Sequence, residues 1–139
     1  MSLTAANSNE ASPSAKRLLA VDDSSESAEL IARIGTGCGY ETKPVMDPRC
    51  VPQILEDWKP DVLTLDLCMP HRDGFSILAS LQEVGFKGSL VIISAQNDWL
   101  RKAACQLAEV NGIEVTSHLE KPINLRALRD LLNTLRLVG

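Results

Sequence analysis

Five times along this chain a short apolar run is followed by a stretch whose apolar residues recur at helical spacing, and few architectures accommodate that order. The runs are Arg17–Val21, the weaker Tyr40–Val45, Asp61–Leu67, Ser89–Ile93 and Ile113–Leu119. After the first run, Asp23 or Ser24 is placed to cap a helix carrying Ala28, Leu30, Ile31 and Ile34, and Gly35, Gly37 and Gly39 are expected to stop it. Pro44 argues that the second run lies at a sheet edge. A helix over Pro48–Asp57 follows and ends before Lys59–Pro60. Met69–Gly74 reads as a loop, and then Phe75, Ile77, Leu78 and Leu81 mark a helix closed by Gly85. Leu100, Ala103, Ala104, Leu107 and Val110 form the next stripe, ended by Asn111–Gly112. Leu125, Leu128, Leu131, Leu132 and Leu135 form the last. The Asp61–Leu67 run is almost wholly apolar, as parallel strands covered on both faces are. The expectation is an α/β fold, a doubly wound parallel sheet with right-handed crossovers.

Composition narrows the class further. The chain has 139 residues, a size that suits one domain, with 45% apolar and 23% charged residues. Its net charge of −4 makes it a poor candidate for coating nucleic acid or an anionic membrane. No apolar run approaches the ~18 residues of a spanning helix, and no start resembles a secretory signal. The cysteines at 38, 50, 68 and 105 form no CxxC pair and read as reduced thiols, which with the missing signal points to a cytoplasmic protein. Residues 1–15 are small, polar and aperiodic and read as a disordered tail or a cloning remnant; residues 16–139 form the domain. Trp58 and Trp99 read as packing residues near helix ends.

In open sheets of this kind the site lies beyond the carboxyl ends of the strands. There the sequence places polar residues where apolar ones belong: Asp22 and Asp23 after the first run, Asp66 near the end of the third, Ser94 after the fourth and Lys121 after the fifth. Helix capping accounts for one of the first two aspartates, not both. A carboxylate inside an apolar strand is costly unless paired or metal-bound. Three carboxylates on one rim repel unless a cation joins them, and Mg²⁺ favours oxygen ligands of that type. Lys121 adds a positive charge and Ser94 a hydroxyl donor. Together these groups can receive and hold a phosphoryl group, with a carboxylate as nucleophile.

Asp22–Asp23, Asp66 followed by Leu67, Cys68, Met69 and Pro70, Ser94–Ala95 and Lys121–Pro122 resemble the receiver domain of two-component response regulators, over about residues 16–138. The resemblance implies the CheY-like, flavodoxin-like (βα)5 fold with strand order 2-1-3-4-5. It implies that Asp66 is the phosphoacceptor and that Mg²⁺ is held by Asp23 and Asp66 directly, by Asp22 through water and by the backbone carbonyl of Cys68. Lys121 would pair with the phosphoryl oxygens, Ser94 would turn in toward them, and Pro122 would follow a cis bond. The implied partners are a histidine kinase or phosphotransfer protein, and an output domain or downstream protein reached through the fourth helix, fifth strand and fifth helix. A homodimer through that surface is left open.

The sequence departs from the family at His118, which stands where an aromatic switch residue is usual. His118 is either that switch or a partly exposed edge-strand histidine. Cys68 and Gln96 occupy positions that tune dephosphorylation in the family. Two other functions compete. A haloacid-dehalogenase-like phosphatase would want an acid at position 68, which is cysteine. A receiver fold acting only as an unphosphorylated docking module is the other.

Overall fold

The computed structural model describes residues 15–67, 73–95 and 98–137. Within them the order is β1 (Arg17–Val21), α1 (Ser25–Gly37), β2 (Glu41–Val45), a 3-10 turn (Pro48–Cys50) running into α2 (Val51–Trp58), β3 (Val62–Asp66), α3 (Asp73–Glu83), β4 (Ser89–Ser94), α4 (Asp98–Val110), β5 (Val115–Glu120) and α5 (Leu125–Leu137). The strands pair in parallel as one five-stranded sheet in the order β2-β1-β3-β4-β5. The tail expected over 1–15 lies, apart from Ala15, outside the described residues, as do Cys68 and Gln96.

Strand periodicity sorts the core into two layers. Leu18, Ala20, Val62, Val91 and Ile93 face α1 and α5 and pack with Ile31, Ile34, Leu128 and Leu132. Leu19, Val21, Leu63, Leu65, Leu90 and Ile92 face the other way, against α2, α3 and α4. Each central strand is therefore apolar on both faces, and its polar residues stand out as exceptions.

Local expectations that depend on turn chemistry are corrected by the structure. Of the two expected caps for α1, Ser24 takes the role, its hydroxyl accepting from Ser27 N. Gly35 does not stop that helix; it is buried inside it, where a Cβ would meet Leu18 Cδ2 at 2.5 Å and Thr42 Cγ2 at 3.0 Å. The glycine lets α1 lie close on β1 and β2. The turn is made by Gly39, with φ +97°. Asp73 and Gly74 belong to α3 rather than to the preceding loop, and the last strand begins two residues later than expected. Pro44 sits on edge strand β2, opposite Ala20. Trp58 packs partly on the core and carries the cations of Arg17 and Lys43 over its ring, 5.5 and 5.2 Å from the centroid. Trp99, expected to pack, is 72% exposed and lies outside the core.

The α1–β2 connection grips α5 directly. Tyr40 Oη donates to the Leu132 carbonyl at 2.6 Å, and Cys38 Sγ to that of Arg129 at 3.8 Å. Burial is the main cause that pushes the Tyr40 phenol up to about 12. A raised phenol pKa contributes stability below the unfolded value near 10, lost as pH climbs toward 12. Tyr40 is the single tyrosine, so its absorbance reports this alone: phenolate should form about two pH units later in the folded protein than in denaturant. Tyr40→Phe should lower unfolding free energy by about 1 kcal/mol in urea titration. Gly35→Ala should destabilise by roughly 1–2 kcal/mol, overpacking outweighing the gain in helix propensity.

Candidate functional site

The order β2-β1-β3 places a topological switch point between β1 and β3, because the chain leaves β1 to one side for β2 and crosses to the other for β3. Val21 is in register with Leu65, so Asp22 and Asp66 come off neighbouring strand ends on the same face. Both are buried, at 0% and 1% exposure, whereas Asp23 is exposed. Carboxylate oxygens of all three lie within 4.8 Å of one another. Asp22 Oδ1 also accepts from Ser24 N at 2.9 Å, which ties it to the cap of α1.

Lys121 closes the cluster from two strands away. Its backbone N donates to the Ser94 carbonyl at 2.8 Å, which holds the end of β5 against the end of β4. Its Nζ donates to Asp66 Oδ2 at 3.0 Å and to Asp22 Oδ2 at 3.2 Å. The peptide bond to Pro122 is cis. Ser94, at 2% exposure, ends β4 opposite Glu120. The residues expected at the strand ends thus do share one rim. Lys121 was expected to face a phosphoryl group, and the structure adds that the ammonium already bridges two carboxylates.

The electrostatics follow from that arrangement. Burial is the largest cause that raises Asp22, to about 6, and the charge of Asp66 adds to it; the Ser24 N–H and Lys121 oppose it. Burial alone would lower the Lys121 ammonium, but its bonds to Asp66 and Asp22 and their charges outweigh burial and raise it. Among the described residues, the Lys121 ammonium is set against three carboxylates. Oxygen donors this close suit a small, hard divalent cation such as Mg²⁺.

The remaining expected residues lie apart or outside. His118 is exposed on edge strand β5, paired with Ile92 on the α4 side of the sheet. Cys68 and Gln96 fall outside the described residues, and Cys38, Cys50 and Cys105 are free thiols. Sequence reasoning passes over Thr64, buried two residues before Asp66 on the same face. A polar residue inside the Asp61–Leu67 run was the available signal.

Comparison with known proteins agrees with the geometry. The model of the response regulator receiver domain matches residues 18–133. A crystal structure of a response regulator from Colwellia psychrerythraea superposes with a TM-score of 0.76 at 30% identity, covering 88% of this chain and 98% of that one. Response regulator MprA of Mycolicibacterium vanbaalenii is 26% identical over 122 residues, 86% of this chain and 48% of its own. The DNA-binding transcriptional activator EvgA of Escherichia coli is 33% identical over 60 residues, 43% of this chain and 29% of its own. The chain thus matches less than half the length of these two curated relatives.

Neutralising one acid should relieve the crowding. Asp22→Asn keeps an acceptor for Ser24 N and should stabilise the metal-free protein at neutral pH by roughly 1–3 kcal/mol, since each tenfold loss of acidity on folding costs about 1.4 kcal/mol. Because the folded value is raised, the wild type loses stability as pH rises from about 4 to 6. The advantage of the variant should therefore vanish below about pH 4 in denaturant titrations.

Proposed function

The chain belongs to the response regulator receiver domain family of two-component signalling, and on that footing we propose that it is a phosphoacceptor switch with Asp66 as the residue phosphorylated. The observation that carries the reading is the buried Asp66 carboxylate held by Lys121 beside Asp22 and Asp23 at the switch point of the sheet. The donor is a phosphohistidine on a histidine kinase or phosphotransfer protein. An Asp66 oxygen attacks phosphorus, the P–O bond forms as the P–N bond breaks, and the imidazole leaves with its electron pair.

Asp23 and Asp66 would hold Mg²⁺ directly and Asp22 through water; the carbonyl of Cys68, the fourth expected ligand, lies outside the described residues. Bound there, the ion supplies neutralising charge for the carboxylates and the phosphoryl oxygens. Lys121 Nζ, already bonded to Asp66, is within reach of the oxygens that Asp66 acquires. The Ser94 hydroxyl donates to the same group from the end of β4. Phosphorylation adds about −1.5 to −2 of charge, which draws Ser94 and biases the surface of α4, β5 and α5.

His118, exposed on that surface, acts as the switch residue in place of a tyrosine or phenylalanine, and Cys68 and Gln96 tune the lifetime of the phosphorylated state. The output is a further domain or a downstream protein, so this unit is a switch rather than an enzyme and does not itself bind nucleic acid. Among the described residues no helix is long and apolar enough to cross a membrane, and a cytoplasmic site of action fits the reading.

Incubation with acetyl phosphate and Mg²⁺ should add the mass of one phosphoryl group, seen by intact-protein mass spectrometry. The gain should be absent in Asp66→Asn and with a chelator present, and at least about tenfold slower in Lys121→Ala. No gain in the wild type would favour a docking module that works unphosphorylated.

A further inference from the structure

Among the described residues, Thr64 Oγ1 is the single buried side-chain N or O atom with no hydrogen-bond partner in the protein. Thr64 is 0% exposed, at the centre of β3, between Ala20 of β1 and Val91 of β4. An unsatisfied hydroxyl in such a place costs about 1–3 kcal/mol, and valine would fill the same volume without that cost. The position is also specific. Strand residues two apart share a face, so the Ala20–Thr64–Val91 row lies directly beneath the Asp22–Asp66 row, on the side of α1 and α5. Rows two residues apart are about 6.6 Å from one another along the strand. One water with two hydrogen bonds of ~2.8 Å spans nearly all of that distance. Beside Thr64, Ala20 carries the smallest side chain in β1.

We propose that Thr64 is a positioning residue for the acidic site: its hydroxyl anchors one internal water that donates to the Asp22–Asp66 carboxylate pair from below. Such a water satisfies Oγ1 and supplies a further donor to two carboxylates that share the Lys121 ammonium. It also keeps the carboxylates oriented toward the rim, where a divalent cation would be met. The inference rests on the reading of these aspartates as a Mg²⁺ site and assigns the residue beneath them that prepares it.

The test compares the wild type, Thr64→Val and Thr64→Ser. Mg²⁺ affinity is measured by isothermal titration calorimetry on the unphosphorylated full chain, and thermal stability is measured without metal. Thr64→Val should bind Mg²⁺ about three- to tenfold more weakly, the worth of the one neutral hydrogen bond by which the hydroxyl holds the water, and should gain no stability. Thr64→Ser should restore affinity to within about twofold, a recovery that a role in packing alone would not produce. Wild-type affinity in Thr64→Val, with a higher melting temperature, would show a dry and idle hydroxyl and overturn the inference while leaving the metal site standing. A wild type that binds no Mg²⁺ at millimolar concentration overturns the metal reading, and this inference with it.

Discussion

One ammonium shared between two buried carboxylates is the interaction on which this molecule turns. Lys121 Nζ bonds Asp22 and Asp66 at 3.2 and 3.0 Å, and it does so across the sheet, from the end of β5 to the ends of β1 and β3. Buried charges of one sign are tolerable only when something of the other sign is held against them. Here one partner serves two acids, with a third, Asp23, close by. Among the described residues the site is therefore folded with three acids around one ammonium. That makes it receptive to a cation and responsive to any change in the charge on Asp66.

The fold delivers that arrangement through its two-sided core. Because Leu18 and Ala20 face one helical layer and Leu19 and Val21 the other, β1 is pinned in register against both β2 and β3. The pinning fixes where each strand ends, and hence where Asp22 and Asp66 emerge. On the α5 side, Tyr40 and Cys38 reach across to the carbonyls of Leu132 and Arg129 and hold the last helix to the start of β2. β5, by contrast, is half exposed along its length and carries His118 outward. The fully buried part of the molecule holds Asp22 and Asp66, and the less buried part carries His118.

Elements whose apolar residues recur without interruption are legible in the sequence: Arg17–Val21 forms β1 over the whole of the run, and the stripe of leucines from Leu125 forms α5. Errors gather where a residue has two uses. Glycine at a helix end and glycine at a close contact look alike in sequence, so Gly35 resembles a stop although Leu18 and Thr42 press on it from outside the helix. An aspartate and a serine side by side both offer a cap, and Ser24 takes that role. Trp99 shares a helix with buried residues, yet most of its own surface is exposed.

The sequence by itself determined the alternation of elements, the strand-end positions of Asp22, Asp23, Asp66, Ser94 and Lys121, and the family those positions point to, because periodicity and the cost of burying charge are local properties of the chain. The tertiary structure alone decided that Lys121 spans two acids rather than waiting for a ligand, and that Thr64 lies hidden one row beneath them. Both depend on pairing between segments dozens of residues apart, 99 in the case of Lys121 and Asp22. No pattern along the chain encodes how far a side chain must reach once the strands stand beside one another.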